Sequence, residues 1–287
     1  MPISLSKSRL EKYRRHRYRL ASRRQVRTKE QAVAFVEERG FVYFWPIKDV
    51  LMPSLWQAVA GDRGVASEHD DPGHVTWGWK DSLLGERAWY YAKVLRKRAT
   101  IIALDVAPYF YALSENFGSP EEDYLLQYEQ GRLTQEAKSV YEALLRKGPL
   151  DTIALRKASR LSARKSDYRF GRALAVLQAD FKVLPVGVAK AGAWNYAFIY
   201  EVVARHYADL PEQARFIQED QARRKLAKLY LDSVGAVQLR DVVKLFGWGR
   251  AITERTLAEL VGEGEIHENV SLREETGPWY AVADLVE

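Results

Sequence analysis

The sequence predicts a mainly α protein with small β-hairpins, arranged as tandem winged helix-turn-helix units, three in all. Two observations carry the prediction. Apolar residues recur at helical spacing through most of the chain. The order helix, break, short helix, turn, third helix and hairpin occurs twice, over residues 134–200 and 221–282, and that order is the winged form of the helix-turn-helix. The 287 residues exceed what one small core holds. The expected division is 1–135, a helical or winged-helix unit with an aromatic-rich insert; 136–220, a basic winged helix with its hairpin; and 221–287, a C-terminal winged helix.

Leu5, Leu10, Tyr13, Arg17 and Leu20 share helical spacing, so residues 1–30 read as a basic helix or arm rather than a transit peptide. Residues 28–31 form a capping-box pattern opening a helix to about Arg39, and Gly40 stops it. An aromatic run over 41–45 precedes Pro46, an amphipathic piece over 49–60 and a polar loop over 61–73. Residues 74–79 alternate as a strand would, and 83–98 read as a helix ending in Arg96, Lys97 and Arg98. An apolar segment, 100–118, leads to a helix entry at 119–123.

In the first repeated module a helix over 134–147 is broken by Gly148-Pro149. Thr152 starts a short helix, a third helix runs to Ala179, and 181–189 with 194–200 form a hairpin turning at Ala191-Gly192. In the second, Gly235 breaks the first helix, Gly247-Trp248-Gly249 turns, Thr253 caps the third, and a polar loop at 272–277 joins the last two strands.

The apolar content of 47% with 29% charged residues excludes disordered and collagenous classes. Zero cysteines exclude disulfides, iron-sulfur clusters and thiol nucleophiles and fit a cytoplasmic protein. The most apolar stretch, 100–113, is interrupted by Asp105 and Pro108 and is too short to span a bilayer, so no membrane partner is expected. The formal charge of +6 conceals segregation: residues 1–30 carry +9 and 139–200 carry +7, on a background of −10. Two basic blocks are an electrostatic footprint for a polyanion, and double-stranded DNA is the expected partner. The contacts expected are Arg14, Arg15, Arg17 and Arg19 at the start, Arg164, Lys165, Arg169 and Arg172 around the third helix of the first module, and Lys182 and Lys190 on its wing. The third helix of the second module carries Glu254, Arg255, Glu259 and Glu263, which assigns it a structural role.

Aromatics concentrate in the first unit, and Tyr43, Trp45, Trp77 and Trp79 are the candidate pocket for a flipped or damaged base, against the alternative that each ring is core. On a strand Trp77 and Trp79 would share one side, with Gly78 permitting close approach and Lys80, next to Asp81, available as an amine nucleophile or as half of a surface ion pair. His69, Asp70, Asp71 and His74 have metal-ligand types, but one loop without a second site predicts no metal. Asp49, Asp105 and Glu201 are lone acids in apolar surroundings. No phosphate-cradling glycine loop or serine elbow is present, so nucleotide hydrolysis and esterase chemistry lack support.

Residues 140–155, with Leu144, Leu145, Gly148, Pro149, Leu150 and Leu155, and 231–280, with Gly235, Asp241, Phe246-Gly247-Trp248, Leu257, Leu260 and Trp279-Tyr280, resemble the winged-helix repeats of the AlkZ and YcaQ crosslink-repair DNA glycosylases. The resemblance implies three winged helices in a C-shaped arrangement around DNA, no cofactor, and excision of alkylated or crosslinked purines. It also implies a catalytic glutamine, an apolar residue, then glutamine or aspartate just after the first helical unit. Residues 40–46 put Tyr43 and Trp45 in those two places. An indole has no oxygen lone pair to position water or stabilise an oxocarbenium-like sugar. Damage recognition is therefore expected over standard base excision, with Asp49 and Lys80 as replacement catalytic candidates. The alternative is a winged-helix regulator or interaction scaffold without enzymatic activity.

Overall fold

Thr28 accepts the Gln31 backbone N–H at the start of the Lys29–Arg39 helix, and Gly40 ends that helix at φ +76°, as its sequence predicts. Ser6, Ser54 and Thr134 cap three further helices in the same way. The computed structural model describes residues 3–192, 194–272 and 275–286, so Arg273 and Glu274 of the predicted 272–277 loop lie outside the described residues. The chain divides into two compact units: Met1–Trp79, Ile101–Ala103 and Gln218–Glu287 form one, Lys80–Thr100 and Leu104–Ile217 the other. Within the second unit, Tyr124 and Leu133 share an apolar core with Tyr141, Leu144, Leu155, Phe170, Leu174 and Leu177.

In the first unit the basic N-terminal segment is built into the fold. The Ser4–Leu5 strand pairs in parallel with the Ile266–Leu272 strand, opposing Ser4 to Ser271 and Leu5 to Leu272. Trp279–Val282 and Ala236–Val237 complete a four-stranded sheet. The Lys7–Arg17 helix buries Leu10, and Arg14 donates to the carbonyls of Val234 and Ala236 at 2.9 and 2.8 Å. Against this sheet lie the Glu219–Val234, Leu239–Phe246 and Arg250–Gly262 helices, which bury Leu226, Tyr230, Leu231, Val242, Leu245, Leu257 and Leu260. The order of elements here is helix, short strand, two helices and hairpin, the expected helices and hairpin with the Ala236–Val237 strand added.

Two local predictions fail here. Residues 74–79 are not a strand: Asp71 caps a turn begun by Pro72, which runs into the Val75–Gly85 helix. The buried positions Thr76, Lys80, Leu83 and Leu84 have helical spacing, and the Trp-Gly-Trp alternation is too short to compete with it. The helix predicted over 83–98 stops at Gly85, and Tyr90–Lys93 is a strand followed by a tight turn at Leu95–Lys97. Consecutive aromatic residues at 89–91, all buried, favour an extended segment packed on both faces over a one-sided helix.

The second unit contains the first module. The Gln135–Lys147, Thr152–Ala158 and Asp167–Ala179 helices and the Val183–Ala189 and Ala197–Val202 strands follow one another in the expected order, and a short Leu150–Asp151 strand that the sequence does not announce lies between the first two helices. The three strands form one antiparallel sheet, with Leu150 opposite Tyr200 and Val183 opposite Val202. Gly148 at φ +75° ends the first helix, and Asp151 caps the next by accepting from Ile153 and Ala154.

Candidate nucleic-acid interface and aromatic site

The Phe41–Tyr43 strand is buried along its whole length. Its neighbour segment fixes it: the Tyr43 N–H donates to the Pro53 carbonyl at 3.0 Å, and the Trp56 N–H to the Phe44 carbonyl at 3.1 Å. Tyr43 is 0% exposed and belongs to the core rather than to a pocket wall. Trp45, partly exposed, lies with its ring centroid 5.4 Å from both Phe44 and Trp77, and Phe44 and Trp77 are 5.7 Å apart. The Trp45 indole N–H is buried with no hydrogen-bond partner among the described residues. Trp79 does not share the face of Trp77, since two residues on a helix differ by roughly 200°. Gly78 permits no close approach: a Cβ there would meet nothing within 4 Å. Of the four predicted pocket residues the structure thus brings together two, Trp45 and Trp77, and adds Phe44, which sequence reasoning left out.

Lys80 is neither an exposed ion pair nor an open nucleophile. Its side chain is fully buried, and its ammonium lies 2.9 Å from the Asp81 carboxylate and 2.9 Å from the Tyr196 hydroxyl. The ring of Phe198 stands 4.4 Å from the charge, and those of Tyr91 and Tyr196 stand at 5.6 and 5.5 Å. Burial holds the amine below its ordinary pKa, and Asp81 opposes that shift. Asp49 is exposed at φ +58°, and its backbone carbonyl accepts from the Lys244 ammonium at 2.6 Å. Asp105 is exposed too, so neither acid has the apolar surroundings predicted for it; Glu201 is buried, 3.2 Å from Arg205.

The predicted DNA contacts separate into exposed cations and cations engaged inside the fold. Arg164 and Lys165 are exposed, on the turn Arg164–Ser166 that precedes the third helix and not on the helix itself. On the Asp167–Ala179 helix, Tyr168, Arg169 and Arg172 face solvent while Phe170, Leu174 and Leu177 face the core. Arg169 pairs with Glu136 at 3.1 Å, an exposed pair that a stronger anion can replace. Lys190 is exposed on the hairpin, and beyond it Trp194 is 91% exposed, the most exposed large apolar side chain described and one that sequence reasoning did not single out.

Three predicted contacts are otherwise occupied. Lys182 is buried, with its ammonium 2.5 Å from the Asn116 side-chain oxygen and 3.1 Å from Asp180. Arg14 spends its guanidinium on the two carbonyls described above. Arg19 holds Glu38 through one nitrogen at 2.7 and 2.8 Å. Arg15 remains exposed beside Asp62, and Arg17 lies over the Tyr13 ring.

The fold, mainly helical with small sheets, is shared with a DNA glycosylase. The solved structure of Streptomyces sahachiroi DNA glycosylase AlkZ matches over 98% of this chain and 71% of that one, with a TM-score of 0.59 at 16% sequence identity. The model of the family described as AlkZ related matches residues 26–247, and the chain belongs to that family. No curated protein matches.

Proposed function

We propose that this protein is a tandem winged-helix DNA-binding member of its family, which grips duplex DNA through phosphate contacts and recognises a distorted or alkylated base without the family's usual excision pair. Residues 135–202 and 218–282 supply two of the winged units. The observation that carries the reading is the contrast between their third helices. Asp167–Ala179 presents Arg169 and Arg172, with Arg164 and Lys165 just before it, on an outward face free of core packing. In the counterpart, Glu259 and Glu263 are held by Arg224 at 2.9 and 3.3 Å, which fits a structural helix.

The damage-recognising element in this reading is the Trp45 and Trp77 ring pair, both partly exposed and backed by the buried Phe44, since aromatic faces stack any base and an unpaired base is the most easily extruded. Excision by the usual route is disfavoured because one of the two motif positions is a fully buried tyrosine and the other an indole.

The test is binding and base release measured side by side on intact duplexes and on duplexes bearing alkylpurines, abasic sites or crosslinks. Salt-dependent binding with preference for damage and no base release is the expected result. The double variant Lys165→Glu, Arg172→Glu should bind more weakly with a shallower salt slope, by roughly 0.9 for each phosphate that is no longer neutralised. Base release abolished by Asp49→Asn would overturn the non-excising part. Salt-independent or absent DNA binding would leave an interaction scaffold.

A further inference from the structure

Three separate pieces of the first unit bring cations to one cavity of about 200 Å³, lined by His16, Arg17, Arg19, Arg24, Glu38 and Arg39. His16 and Arg17 end the Lys7–Arg17 helix. Arg19 follows in the left-handed region at φ +55°, after a helix end closed by the Leu20 N–H on the Arg15 carbonyl. Arg24 sits on the turn Ser22–Arg24, and Glu38 and Arg39 end the Lys29–Arg39 helix.

Arg39 has no internal explanation. It is 6% exposed, yet its Nε and Nη1 have no hydrogen-bond partner among the described residues, and its nearest carboxylate oxygen, on Glu38, is 3.8 Å from Nη2. Glu38 is already engaged by Arg19 at 2.7 Å. A guanidinium presents five donors, and burying it with donors unmet is unfavourable unless an anion supplies acceptors. Burial pushes the Arg39 pKa down to about 10, which leaves it cationic at neutral pH. His16 is held below its ordinary pKa by burial and then by Arg24, Arg17, Arg39 and Arg19. Four arginines against one carboxylate leave an uncompensated positive field in a concave site.

We propose that this cavity is a binding site for a single phosphate oxyanion, with Arg39 as the buried anchor and Arg17, Arg24 and His16 completing the donor shell. As a contact to a DNA strand the site rests on the DNA-binding reading above; as an oxyanion site it stands on the cavity alone. Arginine is suited to the role because its planar fork matches two phosphate oxygens at once.

The experiment follows the His16 imidazole by NMR in the full chain, assigned with His16→Gln, during titration with inorganic phosphate at constant ionic strength and, separately, with a short duplex. The expected result is a saturable shift of His16 and a raised titration midpoint with phosphate. Chloride should not produce it, and Arg24→Gln and Arg39→Met should weaken it at least fivefold. Arg24 is exposed, so its variant reads the site even if Arg39→Met does not fold. A duplex that produces the same shift and competes with phosphate identifies a backbone phosphate as the occupant. Phosphate binding without any effect of DNA identifies a free phosphate compound, with the site intact and the DNA-binding reading in question. No saturable phosphate effect on His16 overturns the site, whether or not duplex binds elsewhere.

Discussion

Lys80 and Tyr196, 116 positions apart in the chain, meet as an ammonium donating to a phenol oxygen at 2.9 Å, and that phenol in turn donates to Asp81 at 3.0 Å. The lysine is thereby consumed as a structural cation: its charge is neutralised by a carboxylate and surrounded by rings. A depressed amine pKa is one mark of a Schiff-base lysine, but a fully buried ammonium offers no approach to a sugar aldehyde. Borohydride treatment with abasic DNA should yield no adduct at Lys80. Tyr196→Phe should lower unfolding free energy by about 1.5–3 kcal/mol, the range for a hydrogen bond to a charged group, as measured by urea denaturation. An adduct mapped to Lys80 would contradict this assignment.

Lys182 and Arg172 make a paired prediction, because both carry positive charge in the basic module while only one reaches solvent. Lys182→Met removes a buried ammonium from Asn116 and from the partly exposed Asp180 and should destabilise the protein by about 1.5–3 kcal/mol, with DNA affinity unchanged in the folded fraction. Arg172→Glu should do the reverse, lowering affinity while the thermal midpoint stays within a degree or two. Equal effects of both variants on binding would show that the exposed helix face is not the contact.

Gly235 ends the Glu219–Val234 helix at φ +80°, with Tyr13, Leu10 and Leu285 side-chain atoms 2.8 to 2.9 Å from where a Cβ would stand. Gly235→Ala combines a left-handed backbone with overpacking of a core contact and should cost about 2–4 kcal/mol. Gly78→Ala, in an open helical position, should be neutral or slightly stabilising, by up to about 1 kcal/mol. Chemical denaturation of the two variants gives the comparison.

His206, half-buried with its ring 4.7 Å from that of Tyr207, is held at a pKa of about 4 by burial and then by Arg87. The unfolded chain takes up this proton near pH 6.5 and the folded chain only near 4. Unfolded molecules therefore bind more protons in that window, and stability falls as pH drops from 6.5 to 4. Solvent screening of a half-exposed group reduces the contribution to about 1 kcal/mol. His206→Gln should flatten that part of the stability profile, and an unchanged acid limb in denaturation curves at pH 4.5 and 7 would contradict it.

Elements set by local chemistry are legible in the sequence. The cap at Thr28, the stops at Gly40, Gly148 and Gly235, the outward Arg169 and Arg172, and the repeated helix, helix, hairpin order follow from periodicity, capping and turn preference, each decided by residues a few positions apart. Residues 74–79 mislead because three alternating residues fit two periods, and the longer spacing through Leu83 and Leu84 decides between them. Burial of individual charges is not legible at all. Nothing adjacent in sequence marks Lys182 as an inward partner of Asn116, Lys80 as the centre of an aromatic cage closed by residues 196 and 198, or Arg39 as a buried guanidinium facing the end of another helix. Local preference is a short-range energy written residue by residue. Desolvation and charge pairing depend on which distant segments pack together, and only the tertiary structure fixes that.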